Sequence, residues 1–351
     1  MGGPGRPGVS GARQPCPNGT LVVCSPRTND SYRKISPTHA ACDAGTAFAN
    51  VCDDHDFHML KERRPALKRQ SFLEFDNLAV DLFFCSEVLK LSSLHYGLWA
   101  DPGAEPLTLD NLRAAQDRYT EALYQLIPEG TQNVLDVGCG LGDMARGLSS
   151  RGHSVTAISP DKNHGRYLHR FASNVRFVQA RYQTFESTEK YDLVLMSESQ
   201  NYFQPDICFE QTRRHLNAEG HLLVSGMFRK ENTTPFPDFV NVEDDFISHG
   251  TRAGFELLEN RDITQRVLPT LKLVHGAINT YVDPSLELLQ RFMLTSAPVK
   301  MRAIAWLFKR QLAELKGIHQ YLLAKTDPNV FEENASYRIL LFRRAALRAA
   351  A

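Results

Sequence analysis

Short apolar segments recur between residues 133 and 228, interleaved with stretches of helical spacing, and this alternation limits the fold more than any other feature. The segments are NVLDVG, SVTAIS, VRFVQA, YDLVLMSES and GHLLVSGMF. GDMARGLSSRG, PDKNHGRYLHRF and DICFEQTRRHL lie between them. Strands buried on both faces read as unbroken apolar runs, and joining parallel strands needs a crossover, usually a helix. The pattern therefore predicts an α/β chain, with a mostly parallel sheet and helices on both faces. A helix, a stop at Gly254 and a sixth strand follow in DDFISHGTRAGFELLENRDITQRVLP, and SYRILLFRR at 336–344 makes a seventh.

The flanks read differently. From Ser71 to Leu94 apolar residues recur at helical spacing, through Phe72, Phe75, Leu78, Leu82, Cys85, Val88 and Leu89. LHYGLWADPG is then a loop dense in aromatics and closed by Pro-Gly. A second helix is predicted from Leu109 to Ile127, with Leu112, Ala115, Tyr119, Leu123 and Leu126 on one face and Pro128 after it. Residues 284–325 read as helical with a break near Pro298. This divides the chain into 1–68, 69–128, a core at 129–283, a helical insertion at 284–335, and the last strand with its tail at 336–351. Residues 1–68 have no sustained periodicity and are expected to be disordered or weakly folded, read as an inert stretch before a native start at Met59 or, alternatively, as a targeting or regulatory tail.

Lys and Arg total 40, as do Asp and Glu, so the basic excess usual for a nucleic-acid binder is missing. No apolar run is long enough to span a bilayer, and the first 15 residues lack the apolar centre of a signal peptide. A cytoplasmic protein is expected. Its seven cysteines form no CxxC pair and are read as free thiols, which leaves the sequons at Asn18, Asn29, Asn232 and Asn334 without meaning. No metal site is expected: DDHDFH at 53–58 lies in the tail, and the other histidines are scattered.

The first strand runs into VLDVGCGLGDMARGL at 134–148. In an open parallel sheet, ligands bind beyond the carboxyl ends of the strands. Gly138, Gly140 and Gly142 remove side chains where the backbone passes such a ligand and allow positive φ. The helix that follows turns its N-terminal amides toward a carboxylate or phosphate. Dinucleotide sites carry G-x-G-x-x-G, whereas here the spacing is G-x-G-x-G with Asp136 two places before the first glycine. A pyrophosphate is poorly served by that carboxylate, and an ammonium group well served.

This D-x-G-x-G-x-G stretch resembles motif I of the class I S-adenosylmethionine-dependent methyltransferases, over roughly residues 75–283 and the last strand. Within the class the chain looks most like the tocopherol and sterol C-methyltransferases and the cyclopropane fatty acid synthases. Phe83 and Phe84 with LHYGLW, ISPDKNH, and YDLVLMSESQNYF carry that likeness. The resemblance implies a Rossmann-like seven-stranded sheet, an N-terminal helical lid and S-adenosylmethionine as cofactor. It places the methionine end at Asp136, Gly138, Cys139, Gly140 and Gly142, and the ribose near Ser159 and Asp161. His164 stands where relatives have a glutamine, and the adenine falls near Arg181 and Tyr182. Ser197 joins the set at the fourth strand, with Tyr96 and Trp99 as lid aromatics or as ordinary packing. The chain departs from the pattern at Arg181-Tyr182, where relatives have Asp-Tyr. It departs again at Asn201-Tyr202, where they have Glu-His, which counts against cyclopropanation.

In-line methyl transfer asks the protein mainly to align the acceptor and exclude water. Glu198 and Tyr202 are the catalytic candidates, Glu198 being alternatively a helix-capping carboxylate. His275 and Tyr281 are further candidates for the pocket, although a lone histidine such as His275 is more often simply satisfied by its surroundings. The expected acceptor is small and partly hydrophobic: lipid-like, isoprenoid, quinone-like or a natural product. Cyclopropane synthase-like lipid modification and a non-catalytic cofactor-binding subunit are the alternatives. Nucleic acid is not expected as a partner. The 299–325 stretch, apolar at helical spacing and basic elsewhere, reads as a lid or as a peripheral membrane contact.

Overall fold

Strand β1 (Asn133–Val137) lies third in a seven-stranded sheet, beside its central strand. The computed structural model describes residues 82, 84–171, 174–231, 236 and 240–345. The tail at 1–68, DDHDFH, Phe83 and most of the helix expected from Ser71 lie outside them. All described residues fall in the unit Gln70–Ala351.

Along β1, Val134 faces one core, while Leu135 and Val137 face another. The same alternation holds in β4 (Tyr191–Ser197), where Leu193 and Leu195 oppose Val194 and Met196, and in β7 (Ala335–Arg344), where Tyr337, Ile339 and Leu341 oppose Leu340 and Phe342. A sheet buried on both faces needs apolar residues at consecutive positions, which is the sequence pattern seen. The remaining strands are β2 (Ser154–Ser159), β3 (Arg176–Gln179), β5 (Leu216–Arg229) and β6 (Phe255–Asp262). Their order is β3-β2-β1-β4-β5-β7-β6, with β7 antiparallel to both neighbours and β1–β5 parallel. The fold is α/β and Rossmann-like.

Helix α1 (Leu109–Tyr124) starts where the Thr108 side chain accepts from Asn111 N–H at 3.2 Å, and it buries Leu112, Ala115, Tyr119 and Leu123 on one face. It ends three residues before the expected Ile127, because Leu126 and Ile127 bond back to Leu123 and Tyr124 in a tighter turn. The crossovers are α2 (Asp143–Ser150), α3 (Lys162–Phe171), α4 (Pro205–His215) and α5 (Glu243–Arg252). Helix α6 (Thr264–Ala277) leads through a π-helical turn at Ile278–Val282 into α7 (Asp283–Ser296), α8 (Pro298–Leu307), α9 (Lys309–Thr326) and α10 (Pro328–Asn334), which precede β7.

The helix expected through Leu94 is corrected. Among the described residues, helical structure there is confined to Leu82 and the π-helical turn Phe84–Val88. Lys90 then adopts φ 55°, and the carbonyls of Leu89 and Lys90 accept from the Arg113 guanidinium on α1 instead of continuing a helix. Helical spacing does not reveal a tertiary donor that captures the terminal carbonyls.

Candidate active site

The strand order reverses between β1 and β4, so the crevice at their carboxyl ends is where such a sheet presents a ligand. The loop leaving β1 carries Gly138, Gly140 and Gly142 at φ 83°, 53° and 83°, so all three use left-handed backbone. They are not equivalent. A Cβ on Gly138 would meet Ser199 Cβ at 2.6 Å, and one on Gly142 would meet Leu168 Cδ1 at 2.4 Å. On Gly140 it would meet only Leu94, at 3.5 Å. Gly142→Ala is expected to cost about 2–4 kcal/mol in chemical denaturation, from backbone strain plus overpacking. Gly140→Ala should cost only the strain, about 1–2 kcal/mol, yet weaken cofactor binding in calorimetry.

Asp136 is 2% exposed, and its Oδ2 has no hydrogen-bond partner among the described residues. Burial, then the nearby charge of Asp143, pushes this carboxyl up to about 7. A buried acid with an orphaned oxygen and a second acid beside it is matched to a cation. Asp143 opens α2, and its Oδ2 lies 3.3 Å from His95 Nε2 and 3.5 Å from Thr120 Oγ1. Cys139 is buried between these groups and Asp161, and its thiol is pushed well up. The donor set fits a ligand that carries an ammonium group, as S-adenosylmethionine does.

At the end of β2, Ser159 and Asp161 are buried, and Ser159 Oγ accepts from Asp161 N–H at 3.1 Å. Asp161 Oδ1 accepts from Asn163 N–H at 2.8 Å. His164 is buried alongside, with Nε2 3.8 Å from Asp161 Oδ2. Arg181 is exposed at the head of a short turn after β3. Tyr182 is not open to a ligand through its ring, which is buried against Phe203 and His215 while its hydroxyl lies 2.9 Å from Thr212 Oγ1. Only its backbone is left to meet a ligand.

Glu198 follows β4 with φ 61°, a conformation costing about 1–3 kcal/mol that the surroundings must hold. Its N–H donates to Ser225 O at 2.7 Å. Its Oε1 accepts from Tyr96 N–H at 3.0 Å and from the Tyr337 hydroxyl. Tyr119 OH lies 3.4 Å from Tyr337 OH and 3.2 Å from Ser197 Oγ. Burial, then the Glu198 charge, pushes the phenols of Tyr96, Tyr119 and Tyr337 up, so all three stay protonated donors. Tyr202 stands apart, 72% exposed. Asn201 is committed to structure: its side-chain amide donates to Met227 O at 2.9 Å, and its Oδ1 accepts from Asn241 N–H at 3.0 Å.

The segment Leu94–Trp99 bridges these parts. Leu94 lies over Gly140, His95 stacks on Tyr119 at 4.1 Å and reaches Asp143, and Tyr96 N–H reaches Glu198. Trp99 is a correction. It is fully buried with Leu91, Leu112 and Ala115, and its Nε1 donates to Thr270 Oγ1 at 2.8 Å. It anchors the segment rather than facing a cofactor. Trp99→Phe is expected to destabilise by about 1–3 kcal/mol through the orphaned Thr270 contact, with cofactor affinity unchanged in calorimetry. His275 and Tyr281 are likewise placed elsewhere. His275 Nδ1 lies 3.3 Å from Thr326 Oγ1, and Tyr281 is 70% exposed.

Tyr337, Tyr119, His95 and Asp143 belong to the site and were not among the residues predicted from sequence. Tyr119 was legible only as part of the buried face of a helix, and Asp143 as a first-turn acid. Nothing near Tyr337 marks it.

Residues 134–220 match the family model described as "Methyltransferase domain". Among curated proteins none matches the sequence significantly. Among solved structures the chain is similar to the [4+2]-cyclase SpnF at 17% identity and TM-score 0.55, covering 77% of this chain and 96% of that one. It is similar to the geranyl diphosphate C-methyltransferase of Streptomyces coelicolor A3(2), solved with Mg2+, geranyl diphosphate and S-adenosyl-L-homocysteine, at 14% identity and TM-score 0.53, covering 78% and 99%. The mycolic acid cyclopropane synthase CmaA1, solved with SAH and CTAB, is similar at 17% identity and TM-score 0.52, covering 76% and 95%. These structures share the fold of this chain. The family match spans about a quarter of the chain, from β1 into β5, and so takes in the glycine loop and the end of β4.

Proposed function

We propose that this chain methylates a small, partly apolar acceptor at the carboxyl end of β4, with Glu198 as the group that orients or deprotonates it. The observation that carries this reading is the Glu198 carboxylate, held in left-handed backbone by Tyr337 and Tyr96 beside the glycine loop. When bound, S-adenosylmethionine supplies a methyl group already activated on a sulfonium sulfur.

The residues of the chain do the rest. Asp136 and the start of α2 hold the zwitterionic end, and Ser159 and Asp161 approach the ribose. Among the described residues both hydrogen bonds to the Glu198 carboxylate end on Oε1, which leaves Oε2 as the oxygen to meet a donor on the acceptor. The rings of Tyr96, Tyr119 and Tyr337 pack against one another there, and Tyr96, the one of the three that is partly exposed, has the face that suits an apolar or cationic group. Asn201 supplies no carboxylate where cyclopropane synthases carry one, so simple methyl transfer is favoured over cyclopropanation.

The test is incubation with methyl-deuterated S-adenosylmethionine and a panel of isoprenyl diphosphates, quinones, fatty acyl esters and small amines, read by mass spectrometry. A labelled methyl on one apolar class supports the reading. Cofactor binding without transfer to any of them, alongside transfer to a bulk protein or nucleic acid, would overturn it.

A further inference from the structure

Helices α7 and α8 bury no residue, although both are rich in large apolar side chains. On α8 the three most exposed are Trp306 (80%), Val299 (76%) and Leu307 (66%). At 100° per residue, Val299, Ala303, Trp306 and Leu307 fall on one stripe, flanked on one side by Lys300 and on the other by Arg302. Phe308 continues the exposed apolar surface, and Lys309 and Arg310 follow it. On α7, Leu288 and Phe292 are exposed one turn apart.

The charge is as uneven as the polarity. Within 298–325 the basic residues are Lys300, Arg302, Lys309, Arg310, Lys316 and Lys325, against Glu314 as the single acid, in a chain whose net charge is zero. We propose that α8 and the beginning of α9 dock on an anionic lipid surface. The apolar stripe would enter the acyl boundary, and the long basic side chains beside it would reach lipid headgroups. A second copy of the chain fits less well, since a two-fold contact along this stripe would set the basic flanks against each other. No helix of the described residues is long and apolar enough to cross a membrane, so the contact is peripheral.

The arm is tied at its base to the catalytic body. His275 of α6 lies against Thr326, and the Tyr321 phenol is close enough to Tyr96 to raise it, while His319 Nε2, 3.2 Å from Asp283 Oδ1, joins α9 to the start of α7. A lipid-docked arm would therefore stand next to the proposed acceptor site, although docking itself does not depend on that reading.

Tryptophan fluorescence gives a direct test, because Trp99 is fully buried and Trp306 is almost fully exposed. The full chain would be mixed with vesicles of phosphatidylcholine alone, or of phosphatidylcholine with an equal part of phosphatidylglycerol. Blue-shifted emission and co-flotation are expected with the anionic vesicles only, lost in Trp306→Glu. In Lys300→Gln/Arg302→Gln, affinity should fall about tenfold or more. Equal binding of the variants and the parent chain, or no binding to either vesicle, would overturn the proposal. So would a dimer in light scattering that Trp306→Glu dissociates. Cofactor calorimetry on each variant reports folding separately and is expected to be unchanged.

Discussion

Asp136→Asn is expected to weaken binding of S-adenosylmethionine and S-adenosylhomocysteine by about 100-fold or more while making the cofactor-free protein more stable. The two effects share one cause. The carboxylate is buried with an orphaned oxygen and lies near Asp143, so without a cation its ionised form is unfavourable. Removing one partner of a buried, hydrogen-bonded charge pair costs about 3–5 kcal/mol, which sets the loss of affinity. The pH dependence follows with a definite sign. The folded carboxyl holds its proton up to about 7, whereas the ordinary value is 3.8. Between those values the folded state binds more protons than the unfolded one, so stability falls as pH rises. The contribution is complete below the ordinary carboxyl value and is lost through about 7. Denaturant melts of the cofactor-free protein across this window should slope downward with pH, and Asp136→Asn should flatten the slope. Cofactor affinity untouched by the substitution would remove the ammonium from Asp136 and leave the glycine loop without its electrostatic half.

Glu198→Gln is expected to lower kcat for the acceptor by about 100- to 10,000-fold with cofactor affinity unchanged, the range for a positioned acid or base. Gln keeps the size of the side chain and an oxygen for Tyr337 and Tyr96, so the network survives while the charge is lost. Tyr337→Phe provides the contrast. It keeps the charge and removes one donor, about 1.5–3 kcal/mol of support, and should raise KM and reduce kcat more modestly. Should Glu198→Gln shift only the melting temperature, the carboxylate would be a tie between β4, β7 and the Leu94–Trp99 segment rather than part of the chemistry. This assay needs the acceptor, whereas the Asp136 measurement does not.

The parts of this protein that depend on local pattern were legible before any coordinates. Unbroken apolar runs announced a doubly covered parallel sheet, because consecutive strand residues face opposite cores. Three glycines after the first strand announced a close approach, because positive φ and missing side chains are properties of the residue itself. The acid at Asp136 favoured an ammonium-bearing ligand over a pyrophosphate by charge alone. The helical insertion and its break at Pro298 followed from periodicity and from proline's missing donor.

Other assignments needed the chain to be folded. Trp99 is aromatic in an aromatic loop, and only its bond to Thr270 makes it an anchor instead of a lid. Tyr337 reaches Glu198 across 139 residues because β7 pairs antiparallel beside β5, a register that no local stretch encodes. His95 joins Asp143 and Tyr119 by the path of an irregular segment whose helix is cut short by Arg113. The sequence by itself therefore determined the layers, the strand that bears the glycine loop and the acid that precedes it. The tertiary structure decided which side chains converge there, since convergence depends on non-local register and on loops whose conformation is set by distant hydrogen-bond partners.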